Sequence, residues 1–560
     1  MKRKLHVAFL AIAFGMGTAA VGQRYLTEVF TNAEVTITPD VIYGTNIDFL
    51  TSNLGSPLVP ANVTELQTAV TLGNPIPAAY FDPSDPATAV KVTNTRMDIY
   101  QPDQAVDAEM MRPLMIYVHT GNALPPPVNG SPNGTRKDSS AVEMCSRMAR
   151  RGYVAVSMSY RLGWNPLATT EQERRGQLLN AIYRALHDVR QCTRVMKADA
   201  AGANTYRIDP NKIIVIGEGT GGYIALANAT LDDPAELYID KFLPDPFDPT
   251  TSYVDSTLVG NLDGFNGQLC LYRPNGQNHA TQFCVNMGGA LADTSWLEQG
   301  DAPMVAFHTT FDPYAPFTEG IVIVPTTGGP VVPVQGSNLF MDLVNSYGNN
   351  NAFSTLSPDP FTDRARALYG TTVSHGTPVN IHSGEGLFPF VTPNWPAMNP
   401  AFREEASPWQ WWDPNSAAAQ TVVIPGPPPV TAGQASQASN PNFSGAKGRA
   451  YIDTIMGYMN PRIVCALGLG PCLITGVNEN VAAASLVELY PNPATNNVLI
   501  SSRDAIIRRY RVYDVHGRMV QNASVNAQRF VMERGSLEAG TYVMHLDTDN
   551  GPLVRKLMLD

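Results

Sequence analysis

The feature that most constrains this chain is an apolar, β-branched run that leads into a cluster of glycines. Residues 213–216 (Ile-Ile-Val-Ile) are followed by residues 217–222 (Gly-Glu-Gly-Thr-Gly-Gly) and by the helix-favouring residues 223–227. A strand that turns sharply into a helix needs glycines, because side chains do not fit there, and such an elbow can present a nucleophilic hydroxyl. In the pattern Gly-x-Ser-x-Gly, the serine position falls on Gly219. The sequence therefore predicts the turn without its usual nucleophile.

Strand and helix patterns alternate on both sides of this elbow. Continuous apolar runs are typical of strands buried on both faces of a sheet, and apolar side chains three or four residues apart are typical of helices. The predicted strands lie at 96–102, 112–119, 152–160 and 303–308, and the predicted helices at 139–151, 177–197 and 450–458. This order predicts an α/β fold with a mostly parallel central sheet, in which sites form at the carboxyl ends of the strands.

Composition divides the chain into domains. We predict the α/β domain over residues 23–470, with a cap insertion at about 231–285 that is rich in Asp, Pro, Gly and Asn, and a low-complexity loop at about 413–447. A linker at 471–485 precedes residues 486–560, where segments of alternating polarity are separated by turns. That alternation predicts a small all-β sandwich at the C-terminus.

The N-terminus and the overall charge indicate where the protein acts. Residues 1–22 combine basic residues, an apolar run and small residues, which is the pattern of a secretory signal peptide. No other stretch has the roughly 18 to 20 continuous apolar residues of a transmembrane helix. The formal net charge of −11 argues against binding to nucleic acid. We therefore expect an exported protein without a transmembrane segment.

The six cysteines are then expected to meet an oxidising compartment. They do not follow the paired C-x-x-C spacing of zinc sites, and six cysteines allow 15 pairings. Proximity in sequence favours Cys270 with Cys284 and Cys465 with Cys472, which leaves Cys145 with Cys192. Buried, reduced thiols are the alternative. The acidic loops do not follow an EF-hand pattern, so we predict neither a metal site nor a cofactor.

Four short motifs follow one another near the C-terminus. They are residues 490–494 (Tyr-Pro-Asn-Pro-Ala), 512–518 (Val-Tyr-Asp-Val-His-Gly-Arg), 537–542 (Leu-Glu-Ala-Gly-Thr-Tyr) and 554–557 (Val-Arg-Lys-Leu). Together they resemble the type A C-terminal sorting domain of the type IX secretion system of Bacteroidota. The resemblance implies handling of residues 486–560 by that secretion machinery, passage across the outer membrane, and release or attachment at the cell surface.

Five further motifs are spread over the α/β domain. They are residues 119–122 (His-Thr-Gly-Asn), 149–153 (Ala-Arg-Arg-Gly-Tyr), 160–163 (Tyr-Arg-Leu-Gly), 208–213 (Ile-Asp-Pro-Asn-Lys-Ile) and 308–313 (His-Thr-Thr-Phe-Asp-Pro). In this order, and with the elbow, they resemble the α/β-hydrolase superfamily on its carboxylesterase and lipase side. The resemblance implies a site with a nucleophile, a histidine base, an acid and a backbone oxyanion hole.

Two of the three side chains that this resemblance requires are missing. Asp312 matches the acid, whereas Gly219 occupies the nucleophile position. Family members often carry the base in a Gly-x-Gly-His stretch shortly before a proline, and residues 384–387 here are Gly-Glu-Gly-Leu. Leu387 therefore stands where the histidine is expected. The two losses agree with each other and predict a degenerate triad.

The chain offers substitutes for the missing groups. Thr220 supplies a hydroxyl if the turn slips by one residue, Ser383 is a more distant alternative, and His382 is the nearest candidate base. Backbone N–H groups of an altered oxyanion loop are expected to survive the side-chain changes, because the backbone is what binds the oxyanion. The residues of this predicted oxyanion site and pocket are Thr120, Gly121, Asn122 and Thr220.

Three functions remain open on the sequence alone. The first is a secreted protein with a hydrolase fold that binds a small ester or acyl ligand without catalysis. The second is an active carboxylic-ester hydrolase that uses Thr220, His382 and Asp312. The third is a structural or adhesive component of the cell surface. Three tryptophans either line a binding face or anchor a loop, namely Trp409, Trp411 and Trp412.

Overall fold

The computed structural model describes residues 24–324, 327–356, 359–394, 404–470, 472, 487–503, 505–514, 519–549 and 551–560. The chain separates into two compact units, residues 1–472 and 473–560. The predicted signal peptide lies outside the described residues, as does the predicted linker apart from Cys472.

The first unit is built on an eight-stranded sheet. Its strands and those of its hairpins are β1 (Val35–Ile47), β2 (Val92–Pro102), β3 (Arg112–Val118), β4 (Val154–Met158), β5 (Ile208–Glu218), β6 (Phe283–Met287), β7 (Met304–Thr309), β8 (Glu319–Ile323), β9 (Pro330–Gln335), β10 (Thr372–Ser374), β11 (Pro378–Asn380), β12 (Leu387–Phe390), β13 (Val422–Ile424) and β14 (Val430–Thr431). The sheet order is β1-β2-β4-β3-β5-β6-β7-β12. β1, β2 and β4 pair antiparallel, and the strands from β4 to β12 pair parallel. The predicted mostly parallel α/β fold is confirmed.

Helices cover both faces of this sheet. They are α1 (Val59–Leu72), α2 (Ser139–Arg150), α3 (Glu171–Ala201), α4 (Thr220–Thr230), α5 (Ser256–Val259), α6 (Ser337–Ser346), α7 (Pro360–Arg366), α8 (Ala417–Gln420), α9 (Ala432–Ser439) and α10 (Gly445–Ala466). Alternate side chains of each strand enter two apolar cores, one shared with α3 and α4 and the other with α2 and α10. β3 is buried along its whole length, and its sequence after Arg112 is a continuous apolar run, as expected for a strand buried on both faces.

The predicted cap at about 231–285 corresponds to an excursion from the sheet between α4, which ends at Thr230, and β6, which begins at Phe283. This excursion is more closely packed than its composition indicates. The excursion contains α5 and two short 3-10 helices, 234–238 and 240–242. Leu269 and Leu271 pack beside the first two strands, in a cluster with Tyr80 and Val92. Part of the predicted cap is therefore a wall of the core.

The predicted low-complexity loop at 413–447 contains regular structure. It forms α8, the β13–β14 hairpin and α9, and it ends within the first turn of α10. α9 begins with a capping box, in which the Thr431 side chain accepts from the Gln434 backbone and the Gln434 side chain accepts from the Thr431 backbone. This reciprocal cap satisfies two backbone donors, so the Ala-rich and Gln-rich segment forms a helix.

The first unit contains one disulfide bond, between Cys465 and Cys472, which is one of the predicted pairs. The predicted pair of Cys145 and Cys192 is wrong, because both are buried free thiols. Cys145 lies on α2 and Cys192 on α3, and these helices pack on opposite faces of the sheet.

The predicted disulfide between Cys270 and Cys284 is also wrong, since both residues are buried free thiols. Cys284 lies within β6, whereas Cys270 lies in the excursion before it. The Cys270 thiol donates to the Gly264 carbonyl oxygen at 2.9 Å. For these four cysteines, the alternative of buried reduced thiols is therefore the correct one.

The second unit is an antiparallel β-structure. Its strands are β15 (Val487–Tyr490), β16 (Asn497–Ser502), β17 (Ile507–Tyr513), β18 (Met519–Ala527), β19 (Arg529–Glu533), β20 (Gly540–Thr548) and β21 (Gly551–Leu559). They form two sheets, β15-β16-β19 and β18-β17-β20-β21. Both sheets contribute to one apolar core, for example through Val498 and Val512. The predicted small all-β unit is confirmed.

Among the described helices, none combines the length and the apolar character that crossing a membrane requires. Within the same part of the chain, no group of three or more His, Cys, Asp or Glu side chains is placed to hold a metal ion.

Candidate functional site

The turn between β5 and α4 has the shape of the predicted elbow. At its centre Gly219 has φ 52° and ψ −115°, a conformation that residues with side chains rarely adopt. A Cβ atom on Gly217 would come within 3.0 Å of the Gly221 carbonyl, and one on Gly221 within 3.0 Å of the Val118 carbonyl oxygen. Both outer glycines are therefore required sterically. This places Gly219 at the serine position of the Gly-x-Ser-x-Gly pattern.

The space that a nucleophile would use at this turn is already filled. A Cβ atom built on Gly219 would lie within 3.0 Å of Thr120 Oγ1 and 3.1 Å from Thr120 Cβ. Thr120 belongs to the loop after β3, which is the loop that supplies oxyanion donors in this type of site. A serine at position 219 would therefore require Thr120 to move.

The hydroxyl of Thr220 is engaged inside the protein. Thr220 Oγ1 accepts a hydrogen bond of 2.7 Å from the backbone N–H of Asn122. Asn122 has φ 56°, and the preceding Gly121 could not carry a side chain, because its Cβ would lie 2.7 Å from Gly134 Cα. The loop is thus held in a tight left-handed turn against the start of α4. One of the backbone donors expected for an oxyanion hole is occupied by Thr220.

The predicted acid, Asp312, lies just after β7 and shapes a turn. Its Oδ1 accepts hydrogen bonds from the backbone N–H groups of Tyr314 and Ala315, at 2.8 and 3.0 Å. Burial raises the pKa of Asp312 to about 7, although these two donors act in the opposite direction. Asp312 Oδ2 is 3.9 Å from His308 Nε2, which is beyond hydrogen-bonding distance. Among the described residues, the Asp312 carboxyl group therefore has no hydrogen bond to an imidazole.

The elbow, the loop after β3 and Asp312 meet around one cavity. Its volume is about 260 Å³. The remaining walls come from the loop at 129–133 and from residues within 406–440. The residues identified from the sequence that line it are Thr120, Gly121, Asn122, Gly219, Thr220 and Asp312. The structure thus brings together the predicted oxyanion loop, the elbow and the acid. We call this space the elbow cavity.

Two histidines near Asp312 do not act as its partners. His308 is buried, with Nδ1 2.9 Å from Ser337 Oγ and Nε2 3.0 Å from the Ala315 carbonyl oxygen. A carbonyl only accepts, so Nε2 carries the proton, and burial lowers the pKa of His308 to about 4. His375 stacks on Phe311, with ring centroids 3.9 Å apart, and does not line the elbow cavity. Both side chains have structural contacts instead.

The structure corrects the position predicted for the base. Leu387 is the first residue of β12, where it pairs with Ala306 in the buried core. His382 precedes β12, near the amino end of the strand, whereas the elbow cavity lies at the carboxyl ends. Its Nδ1 is 3.9 Å from Asp342 Oδ2, and it does not line the cavity. After β12, the sequence contains no histidine from residue 391 to residue 515.

The buried carboxyl group of Glu218, beside the elbow, was not predicted as a site residue from the sequence. Glu218 accepts hydrogen bonds from Tyr117 Oη (2.7 Å), Trp409 Nε1 (2.8 Å), Gln410 Nε2 (2.8 Å) and Ser140 Oγ (3.1 Å). Burial raises the pKa of Glu218, against the effect of these four donors. The hydrogen bonds to Glu218 hold the loop that contains Trp409 and Gln410 against the elbow. The available signal was a single charged residue between an apolar strand and a glycine turn.

The three tryptophans have different roles. Trp409 is fully buried and anchors its loop, and Trp411 packs under the Arg449 guanidinium at 5.3 Å. Trp412 stacks on Phe443, with centroids 3.8 Å apart, and lines the elbow cavity. Its indole N–H is buried without a hydrogen-bond partner. Of the two interpretations left open by the sequence, Trp409 fits the anchor, and Trp412 contributes to the cavity wall.

Comparison with protein families gives two matches within the chain. Residues 97–253, which include the elbow, match the family model described as BD-FAE. Residues 488–560 match the model described as secretion system C-terminal sorting domain. No curated protein matches the chain significantly.

Among solved structures, similarity is to esterases and other α/β-hydrolases. Esterase 2 of Thermogutta terrifontis, phosphorylated by paraoxon, is 16% identical over 40% of this chain and 69% of its own, with a TM-score of 0.26. The same planctomycete esterase with bound propionate is 15% identical over 40% and 70%, also with a TM-score of 0.26. MGS-M1, an α/β-hydrolase enzyme from a Medee basin deep-sea metagenome library, is 16% identical over 40% and 66%, with a TM-score of 0.23.

Strand order, the elbow and the family matches lead to one assignment. The order of the parallel strands and the helices on both faces define the fold of the first unit. The sorting domain of the second unit indicates export across the outer membrane, to the cell surface or the medium. The first unit therefore has an α/β-hydrolase fold that resembles the BD-FAE family over residues 97–253, and the C-terminal segment, residues 488–560, resembles a secretion system sorting domain.

Proposed function

We propose that the first unit binds an ester or acyl ligand in the elbow cavity and does not hydrolyse it. The observation that carries this proposal is the crowding of Gly219 by Thr120, which occupies the space of a nucleophilic side chain. Hydrolysis by a triad needs a hydroxyl, a base that takes its proton and an acid that holds the base. Loss of the nucleophile lowers the rate by several orders of magnitude. The degenerate triad is thus the basis of a binding role.

Features that persist around the elbow support binding. The cavity of about 260 Å³ retains the backbone turn and the loop after β3. The Asn122 N–H donates a hydrogen bond to the Thr220 hydroxyl. A ligand oxygen can take the place of that hydroxyl as the acceptor. Asp312 is committed to a turn and contacts no base. These groups are better suited to binding a polar oxygen of a ligand than to transferring a proton.

The alternative of an active hydrolase would use Thr220, His382 and Asp312. Thr220 Oγ1 faces the Asn122 N–H, and His382 faces Asp342. A relay needs hydrogen bonds between nucleophile and base and between base and acid. The contacts of Thr220 and His382 favour separate structural roles, so this alternative has less support.

Hydrolysis of p-nitrophenyl acetate, butyrate and octanoate by the full chain tests the proposal. We expect the same low rate for the wild type and for Thr220→Val, a matched variant that keeps the shape and removes the hydroxyl. We also expect octanoate esters to raise the melting temperature of both proteins. Turnover that Thr220→Val abolishes would establish catalysis and contradict the proposal. Failure of all esters to bind would favour a structural or adhesive role at the cell surface.

A further inference from the structure

One face of α3 carries a row of basic side chains that are buried in the protein. They are His187, Arg190, Arg194 and Lys197, which are three or four residues apart and therefore lie on the same side of the helix. Arg190 and Arg194 are each 1% exposed, and His187 is fully buried. We call these four residues the cationic face. Residues 260–282, between α5 and β6, cover it, and we call them the covering segment.

The covering segment meets this face largely through carbonyl oxygens. Arg190 Nη1 donates to the Leu262 carbonyl oxygen at 2.6 Å, and its Nη2 donates to the Leu231 carbonyl oxygen, also at 2.6 Å. Lys197 Nζ donates to the Ala280 carbonyl oxygen at 2.7 Å. These acceptors carry no net charge. They satisfy hydrogen bonds but do not neutralise the buried cations.

Arg194 has the largest unused hydrogen-bonding capacity on the cationic face. Its Nη2 donates to Gln191 Oε1 at 3.2 Å, and the Phe265 ring centroid is 4.4 Å from its Cζ. Within the described part of the chain, Arg194 Nε and Nη1 are buried without a hydrogen-bond partner, as is Arg190 Nε. The two arginines are one helical turn apart. Buried donors without acceptors are costly, so an added acceptor would be stabilising here.

The acids around the cationic face do not balance its charge. Among the described residues, Arg190, Arg194 and Lys197 form no ion pair. Asp263 attracts both arginines, but its Oδ1 is 3.0 Å from His279 Nδ1 and its side chain is half exposed. Burial lowers the pKa of Arg190 to about 10, which leaves the side chain charged at neutral pH. Buried positive charge therefore exceeds negative charge here, in a chain of formal net charge −11.

From this excess of buried positive charge and unused donors, we propose a binding site for a small monovalent anion, such as chloride, between Arg190 and Arg194. The unpartnered N–H groups of the two arginines donate to the anion, and the covering segment encloses it. A monovalent ion is favoured, because removing a multivalent ion from water costs more. By neutralising part of the cationic face, the anion holds the covering segment on α3. No residue of the cationic face lines the elbow cavity, so this site is separate from the proposed function.

Replacement of sodium chloride by sodium gluconate at constant ionic strength tests the proposal on the full chain. Chloride NMR line broadening detects binding directly, and the melting temperature reports the stabilisation that binding to the folded state produces. At about 0.15 M salt, we expect chloride to raise the melting temperature by at least about 2 °C relative to gluconate.

The thiol of Cys270 reports on the covering segment itself. Cys270 is a buried free cysteine of that segment, and its thiol donates to the Gly264 carbonyl oxygen. Cys145, a buried free cysteine of α2 on the other face of the sheet, is the internal reference. Labelling with dithiodipyridine is followed by peptide mass spectrometry. We expect chloride to slow the labelling of Cys270 at least about threefold relative to gluconate, with no change at Cys145.

Arg194→Met tests whether the anion lies at the arginines. Methionine removes the two unpartnered donors and keeps an apolar stem beneath Phe265. We expect this variant to lose the specific line broadening and the protection of Cys270. Arg194→Lys, which keeps the charge and loses the planar set of donors, is expected to weaken chloride binding at least about threefold. Arg449→Met on α10, where the side chain is half exposed, is the matched control and keeps both effects.

The results decide the proposal without reference to the elbow cavity. Circular dichroism identifies variants that have not folded, and Arg194→Lys takes the place of Arg194→Met if the latter does not fold. Equal stability and equal Cys270 labelling in chloride and gluconate would overturn the proposal. Chloride effects that persist unchanged in the folded Arg194 variants would overturn it as well. Either result leaves the ester-binding experiments unaffected.

Discussion

The two ends of the elbow cavity differ in what they retain of a hydrolytic site. At the elbow, the backbone forms the sharp turn, and the position where the sequence predicts a nucleophile holds Gly219, which is crowded by Thr120. At the other end, the side chain of Asp312 is present, and its hydrogen bonds go to the backbone of its own turn. The elbow end has the backbone turn without a nucleophilic side chain, and the other end has the Asp312 carboxyl group without a histidine hydrogen-bonded to it.

This difference shows that fold and chemistry depend on different constraints. Gly217 and Gly221 are fixed by steric contacts between β5, α4 and the end of β3, so they persist whether or not the site reacts. Asp312 persists because it forms a turn at the end of β7. Neither constraint requires a nucleophile or a base. On the proposed function, the fold therefore keeps the outline of a hydrolytic site without its catalytic groups.

The largest expected effect is at the outer glycines of the elbow. Gly221→Ala places a Cβ within 3.0 Å of the Val118 carbonyl oxygen, so the end of β3 and α4 must separate. We expect a loss of more than about 4 kcal/mol in the free energy of unfolding, or failure to fold. Gly55→Ala, where the nearest atom is 3.7 Å away, is the matched control. Urea unfolding of both variants checks this, and equal stability would refute a steric role for the elbow glycines.

A large effect is also expected at the acid end, and it depends on pH. Burial holds the pKa of Asp312 near 7, above that of an exposed carboxyl group, so the folded state keeps a proton that the unfolded chain releases near pH 4. The stability contributed by this group is present below pH 4 and is lost as the pH rises to about 7. The loss is about 4 kcal/mol, from about 1.4 kcal/mol per pKa unit.

Asp312→Asn isolates this effect, because asparagine keeps the oxygen that accepts from Tyr314 and Ala315. Burial also raises the pKa of other acids, for example that of Asp138 to about 7. Because these acids are present in both proteins, their contributions cancel in the difference between the two unfolding free energies. The difference in unfolding free energy between variant and wild type is expected to grow in favour of asparagine between pH 4 and 7. Urea unfolding across this range measures it, and parallel curves would show that Asp312 is ionised in the fold.

A smaller effect is expected from restoring the nucleophile. Gly219→Ser introduces a side chain at positive φ and against Thr120, which we expect to cost about 3 kcal/mol. Thr120→Gly in the same chain removes the contact and should recover about 1 to 2 kcal/mol. Unfolding of the two single variants and the double variant gives the coupling energy. A coupling near zero would mean that Thr120 does not fill the nucleophile position. The double variant is also expected to lack esterase activity, since no histidine is among the described residues that line the elbow cavity.

Much of the fold was encoded in local sequence. Buried strands such as β3 and β4 are largely apolar, with Arg112 and Ser157 as their polar residues, and the elbow combines such a run with glycines. β12 was missed because it has four residues and contains Pro389, which a strand tolerates at the edge of a sheet. Missing that strand misplaced the histidine position onto Leu387.

The site was only partly encoded in this way. Gly219 and Asp312 could be predicted, because each belongs to a short motif that directly follows a strand. The contacts of Glu218 with Trp409 and Gln410 join segments almost 200 residues apart, at a separation of 191 for Trp409. The crowding of Gly219 by Thr120 also depends on how two loops pack. Such contacts arise from tertiary structure, and no local pattern contains them.

An organophosphate tests most directly the proposal that the elbow carries no working nucleophile. The full chain is incubated with paraoxon beside a serine esterase with an intact triad, and intact-protein mass spectrometry follows covalent phosphorylation. We expect labelling of the control enzyme and an unchanged mass for this protein. A stoichiometric phosphoryl adduct that disappears in Thr220→Val would show that Thr220 reacts, and would contradict the account.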